Sequence, residues 1–443
     1  MNTRSRARWA VVAALGVAAW AARCERRPPR PSVLLVTIDT LRADHVSAYG
    51  YTVRTTPRLD RLASEGVLFE QAYAGITVTG PSHATLMTGR PARAHGVVRN
   101  GYRLPPGTET LSGILKDKGW STAAVVSAYP LSRRFGLAAG FDAYDDTFLA
   151  EESSLPTAQW EGRTLGQPYD RRADGTTRRA AAWLEQRRAD EPFFLWVHYF
   201  DPHTPSDAPA AWRLPAAGDD GACLRAAYDA EIRFVDDELG RLLDVLEARG
   251  RARDTLVVVT SDHGEGLGDH GELEHGPVVY EEAVRVPLVA RFPRQLPPGV
   301  RRPGPVELMD VTPTVLELAG LPARPGFPGR SLVPLAHGRP GDPRHVVIVQ
   351  GEYDEGADET VFGARQGGTK YIETRRAGAV RRRELYDLGS DAAERRDLAG
   401  VDPARAERLA VLLQAWRRAL GPARAGKIDP SDVEGLRALG YAQ

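Results

Sequence analysis

Three unbroken apolar runs constrain this chain more than any other feature: SVLLVTI from Ser32, PFFLWVHYF from Pro192 and TLVVVT from Thr255. None alternates apolar with polar residues, as a strand with one wet face does, and each is short for a buried helix. Such runs read as strands covered on both faces, the situation in a largely parallel sheet flanked by helices. Helical stretches fall between them. TPRLDRLASEGV has a Thr cap and Pro at the first helical position, and TLSGILKDKGWSTAAVVSA reads as helix, Gly turn and strand. TTRRAAAWLEQRRA leads into PFFLWVHYF, and YDAEIRFVDDELGRLLDVLEARG feeds TLVVVT. The alternation runs for about 300 residues and predicts an α/β fold, a large mixed, mostly parallel sheet covered by helices on both faces.

A chain of 443 residues needs more than one small core. Composition changes at GRPGDP, Gly338 to Pro343, beyond which short strand-like pieces (HVVIVQGEY, TVFGARQ, TKYIETRR, RRRELYDL) precede the helix ARAERLAVLLQAWRRAL. The expected division is 31–340 as the main domain and 341–443 as an antiparallel subdomain with a packed helix and tail. Residues 1–30 read as an export segment. MNTRSRAR supplies charge, the apolar stretch after it is about 14 residues long, short for a spanning helix, and an Arg/Pro linker follows. Cleavage, retention as an anchor and lipid attachment at Cys24 are the three alternatives, all with the mature chain outside the cytoplasm in the periplasm or cell envelope. The only other cysteine is Cys223, too few for a disulfide framework. The 58 acidic and 58 basic side chains cancel, so no nucleic-acid partner is indicated. Only four of the basic residues are lysines (Lys116, Lys118, Lys370 and Lys427), which leaves few candidates for amine chemistry.

Ligand groups in an open parallel sheet gather beyond the carboxyl ends of its strands. Here those ends carry Asp39-Thr40, Asp201-Pro202-His203 and Ser261-Asp262-His263-Gly264. A fourth segment, TVTGPSHATLMTGR, places Thr79 just before a helix start, where free backbone N–H groups favour an anion. Asp39 and Asp262 offer carboxylate oxygens, His263 an imidazole and Thr79 a hydroxyl that a cation would activate as a nucleophile. His203 and His275 are placed to hold the oxyanion or to protonate a leaving group. Each has a plainer reading: Asp39 as a helix cap, His203 and His275 as loop residues, Thr79 as a turn residue.

These segments resemble the sulfatase family of the alkaline phosphatase superfamily. VLLVTIDTLRADHVSAYGY, PSHATLMTGR, FFLWVHYFDPHTP, TLVVVTSDHGEGLGDHGE, HGPVVYEEAVRVPLV, DVTPTVLELAGLP, GRSLVPL and ELYDL match it in order. The resemblance implies an alkaline phosphatase-like domain with a small C-terminal α+β subdomain, one divalent cation, and hydrolysis of sulfate or phosphate esters. It puts Asp39, Thr79, Asp262 and His263 on the metal and Thr79 at the nucleophile. His203 and His275 fall on the transferred group, with His83 and Asn100 in substrate binding. The mixed Asp/His set inclines the cation toward manganese or zinc rather than calcium. Thr79 stands where sulfatases have the Cys or Ser converted to formylglycine, so no formylglycine is expected. His83 replaces the family's arginine, and Thr40 its second acidic ligand. A threonine ester cannot break down as an aldehyde hydrate does, which inclines the chemistry toward phosphodiester or phosphonate esters. Transfer to a lipid or glycan acceptor and a non-catalytic binding protein are the alternatives. The substrate is a small-molecule, glycan or lipid ester, with membrane attachment through the N-terminus an open alternative.

Overall fold

The computed structural model describes residues 30–154, 159–160, 163–164, 168–204, 206–215, 218–351, 359–421, 428–433 and 436. The export segment and Cys24 lie outside them. The main sheet is formed by β1 (Ser32–Ile38), β2 (Val67–Tyr73), β3 (Ser121–Val125), β4 (Ala143–Asp145), β5 (Phe193–Tyr199), β6 (Thr255–Ser261), β7 (Leu288–Arg291) and β8 (Val300–Glu307). Their order across the sheet is β8-β2-β7-β6-β1-β5-β3-β4, and the two-residue strand Arg285–Val286 also pairs with β2. All neighbouring pairs on this path are parallel except those of β7, which is antiparallel to β2 and β6.

The apolar runs have the expected physical cause. Every residue of β1, β5 and β6 is buried. Successive side chains of a strand point to opposite faces, so Val33 and Leu35 enter one core while Leu34 and Val36 enter the other. Helices α1 (Pro57–Ser64), α4 (Ala173–Glu185) and α5 (Asp220–Ala248) cover the second face. Helices α2 (Thr79–Thr88), α3 (Leu111–Asp117) and α6 (Val311–Leu318) cover the first. Each fully buried Val, Leu or Phe contributes about 1.5–3 kcal/mol relative to exposure, so the strands at the sheet's centre carry much of the fold's stability.

Beyond Pro343, β9 (Val346–Gln350), β10 (Glu359–Gln366), β11 (Thr369–Arg376) and β12 (Ala379–Asp387) form a separate antiparallel sheet. Its face packs on α7 (Pro403–Leu420) through Phe362, Tyr371, Leu385, Leu409 and Leu413. A second apolar layer, with Tyr73, Val284, Val349 and Tyr386, joins this sheet to the main one. β6, β1 and β5 are adjacent and parallel, so their carboxyl ends deliver Asp262, Asp39 and the His203 loop to one edge.

Candidate active site

The site is built from the ends of three strands and the start of one helix. Thr79 is the first residue of α2, after Val78 in extended conformation, and it is wholly buried. The helix's exposed N–H groups are met from outside: Gly80 donates to Asn100 Oδ1 at 2.7 Å. A Cβ on Gly80 would sit 2.9 Å from that oxygen, so the close approach requires glycine. Ser82 Oγ donates to the Asp262 carbonyl at 2.7 Å, tying α2 to the end of β6. Thr40, just past β1, holds a left-handed φ of 54° and turns its N–H toward Asp262 Oδ1 at 3.3 Å. For a branched residue such a conformation costs about 1–3 kcal/mol and is maintained only where the surroundings demand it.

Asp39, Asp262 and His263 meet in a closed space, each fully buried, with donor atoms all within 4.8 Å of one another. His263 Nδ1 donates to the Gly264 carbonyl at 3.0 Å, which leaves the lone pair on Nε2. That nitrogen lies 3.4 Å from Asp262 Oδ2, 3.7 Å from Asp39 Oδ1 and 3.4 Å from Thr79 Oγ. Both oxygens of Asp39 and Oδ2 of Asp262 lack hydrogen-bond partners among the described residues. Burial and the adjacent Asp262 hold the Asp39 carboxyl well above its usual range. The same pairing of orphaned carboxylate oxygens with an imidazole lone pair is what a divalent cation needs, and these residues fit one.

Two further histidines approach the carboxylates without joining that ligand set. Trp196 Nε1 donates to Thr37 Oγ at 3.0 Å, so the Thr37 hydroxyl is turned to donate to His83 Nε2 at 2.9 Å. The proton of His83 is therefore on Nδ1, which donates to the Thr79 carbonyl at 2.8 Å. Burial pulls His83 down to about 3, so the ring is neutral. His198 Nδ1 accepts from the Ser127 N–H at 3.3 Å, placing its proton on Nε2, 3.2 Å from Asp39 Oδ2 but off hydrogen-bond alignment. Burial lowers it to about 4. His83, His198 and Asp262 also cluster closely enough to suggest a metal. Among these rings, however, His83 carries its hydrogen on the Nδ1 that donates to the Thr79 carbonyl and His198 carries its hydrogen on Nε2, so they do not turn lone pairs toward the carboxylates.

His203 stacks on Phe200 with ring centroids 4.6 Å apart and donates from Nδ1 to the Thr204 carbonyl at 2.6 Å. Burial, with His275 beside it, lowers it to about 3. His275 Nδ1 lies 3.3 Å from Glu265 Oε1, and its ring centroid is 4.3 Å from that of His263 and 5.0 Å from that of His203.

Asp39, Thr79, Asp262, His263, His203 and His275 thus come together. Asn100 meets the start of α2 through Gly80, and His83 has both ring nitrogens engaged by Thr79 and Thr37 rather than turned to an open cavity. Sequence reasoning passed over His198, Glu265 and Thr37. The signal for His198 was a single polar ring inside the otherwise apolar FFLWVHYF; Glu265 had only its place after Asp262-His263-Gly264.

A family model described as Sulfatase matches residues 31–321, and one described as N-sulphoglucosamine sulphohydrolase, C-terminal, matches residues 268–415. The chain is similar to the uncharacterized sulfatase YidJ of Escherichia coli, with 29% identity covering 73% of this chain and 74% of that protein. It is also similar to the multifunctional alkaline phosphatase superfamily protein PehA of Trinickia caryophylli, with 29% identity over 85% of this chain and 92% of that one. Among solved structures it resembles the phosphonate monoester hydrolase of Agrobacterium radiobacter, with a TM-score of 0.72 and 26% identity, covering 88% of this chain and 96% of the other.

Proposed function

The chain belongs to the sulfatase family of the alkaline phosphatase superfamily and is an ester hydrolase, and on that premise we propose that Thr79 is the nucleophile of a metal-dependent reaction. The observation that carries the proposal is the position of Thr79 Oγ, 3.4 Å from His263 Nε2 at the rim of a group of orphaned buried carboxylate oxygens. Asp39, Asp262, His263 and the Thr79 oxygen would hold one divalent cation, with manganese and zinc best suited to the mixed oxygen and nitrogen set. Such a cation supplies Lewis-acid polarisation of the ester and a lowered pKa for the Thr79 hydroxyl.

The protein's own groups do the rest. His83 and Asn100 fix the first turn of α2 through the Thr79 carbonyl and the Gly80 N–H, so Oγ is aimed before substrate arrives. The Thr40 N–H orients Asp262, and the His198 ring lies beside Asp39 Oδ2. His203 and His275 face the transferred group and stabilise its developing charge. Threonine has no hydrate through which to expel the group, so the ester on Thr79 is released by water. That requirement suits phosphoryl and phosphonyl esters, and similarity to a phosphonate monoester hydrolase supports the same reading, while sulfate monoesters remain the family's substrate class.

The proposal includes residues 31–340 as the catalytic unit, 341–443 as the subdomain, and export to the periplasm or cell envelope through residues 1–30. No helix among the described residues is long and apolar enough to cross a membrane. The test is to purify the chain without residues 1–30, determine its bound metal, and assay sulfate monoester, phosphate monoester, phosphodiester and phosphonate ester. Activity on at least one class is expected, lost in Thr79→Ala and Asp262→Ala. Full activity in Thr79→Ala would sink the nucleophile assignment.

A further inference from the structure

The turn that follows β1 is strained, and its strain is held from a distance. Asp39 leaves the strand with its N–H on the Tyr199 carbonyl at 2.9 Å, and Thr40 then takes a φ of 54°. Left-handed backbone is disfavoured for a residue branched at Cβ, so partners elsewhere in the fold must maintain it. The Thr40 side chain is no such partner: its hydroxyl is buried and makes no hydrogen bond among the described residues. The backbone is what is held. The Thr40 N–H reaches Asp262 Oδ1 at 3.3 Å, and the Thr40 carbonyl accepts from the Tyr228 hydroxyl at 2.6 Å. That hydroxyl also accepts from the Arg42 N–H at 2.9 Å, so one oxygen on α5 spans the turn. Beyond it, Ser261 Oγ accepts from the Leu41 N–H at 2.9 Å, and the Arg42 guanidinium donates to the Glu265 carbonyl at 3.1 Å.

Tyr228 is wholly buried, its ring edge-on to His45 with centroids 5.0 Å apart. Phenylalanine would serve that packing; the hydroxyl serves the turn. With Leu41 and Arg42 anchored, rotation about the Thr40 N–Cα bond moves what precedes it, the Asp39 unit and the Thr40 N–H. Relaxation to a negative φ would carry Asp39 Oδ1 from its place 3.7 Å from His263 Nε2 and take the N–H from Asp262. We propose that Tyr228 is a positioning residue for the metal centre, its hydroxyl keeping Thr40 left-handed and so keeping Asp39 and Asp262 set for one divalent cation. The inference rests on Asp39, Asp262 and His263 being the ligands of that cation. Tyr228 acts through the backbone and does not touch the ion. Ligands set in advance need no ordering when the ion binds, so the hydroxyl contributes to affinity.

The test uses the full-length protein, freed of metal by chelation and titrated calorimetrically with Mn²⁺ and, separately, with Zn²⁺. Tyr228→Phe keeps the ring and removes the hydroxyl, and should weaken binding about 10–100-fold. The decisive variant combines it with Thr40→Gly. Glycine adopts a positive φ without steric cost, so the double variant should bind metal within about threefold of Thr40→Gly alone. A merely structural role for Tyr228 would lower the melting temperature and leave affinity unchanged whatever stands at position 40. Parent-like affinity in Tyr228→Phe, or a further loss of about tenfold on the glycine turn, overturns the assignment. Asp262→Ala tests the premise separately. No binding in the parent, or binding in Asp262→Ala as tight as the parent's, overturns the metal reading itself; binding lost in Asp262→Ala but parent-like in Tyr228→Phe overturns the positioning role alone. Should Tyr228→Phe melt early, melting temperature takes the place of affinity. Thr40→Gly should then return it toward the parent's, and a double variant that melts as early as Tyr228→Phe overturns the assignment.

Discussion

Replacing Thr79 by alanine removes a hydroxyl and a methyl group from a buried residue at the first turn of α2. If that hydroxyl is the nucleophile, turnover should fall by about 10³-fold or more while urea denaturation changes little. His83 calls for a different pair of variants. Asparagine can place an N–H where Nδ1 now donates to the Thr79 carbonyl, so His83→Asn should keep kcat within about tenfold of the parent. His83→Leu leaves the Thr79 carbonyl without that donor and the Thr37 hydroxyl without its acceptor, which should cost about 1–3 kcal/mol in urea denaturation and lower kcat with little change in KM. The residues that carry these chemistries differ in how far they could be read in advance. Asp39, Asp262 and His263 sit directly after apolar strands, where a polar residue stands out. His198 lies within one, and its value depends on Ser127 and Asp39 reaching it from elsewhere in the chain.

At the scale of elements, β5 and α5 meet through a pair of acids. Asp201, just past the strand, and Glu231, on the helix, are buried against one another. Burial pushes Asp201 up to about 7, and burial with the charge of Asp201 pushes Glu231 up to about 9. Both groups are raised relative to their ordinary values of 3.8 and 4.5, so the folded state holds protons that the unfolded chain releases. Their contribution to stability is present below those ordinary values and is lost as pH rises through about 7 and about 9. Melting temperature should therefore decline across this window, and Glu231→Gln should flatten the decline; an unchanged slope would count against the pair. The identity of the central strands was legible because burial on both faces leaves an unbroken apolar run. The antiparallel direction of β7 was not, since such a run has no polarity and the pairing with β2 and β6 is decided by where the chain returns.

Across the whole molecule, the C-terminal sheet is fastened to the catalytic unit by Lys370. This buried residue lies 3.0 Å from Glu281 and 2.9 Å from Glu394. Lys370→Met removes the nearest cation from two enclosed carboxylates, leaving Arg365 3.8 Å from Glu281, and should cost about 3 kcal/mol in urea denaturation. Adding Glu281→Gln and Glu394→Gln should recover much of that loss, because the uncompensated charges go with it. A metal held by Asp39, Asp262 and His263, as proposed, would stabilise the folded chain by about 2.7 kcal/mol at a hundredfold excess over Kd. Chelation should accordingly lower Tm in the parent protein, and Asp262→Asn should abolish the difference; an equal shift in both would place the bound metal elsewhere. The sequence by itself determined the strands, their alternation with helices and the family, because apolar runs and short motifs are local signals that survive without a partner. The tertiary structure alone decided which protons sit on which ring. The His83 tautomer depends on Thr37, 46 residues away, and on Trp196, a further 159 from Thr37 along the chain. A hydrogen bond's direction belongs to both of its partners, and only folding brings them together.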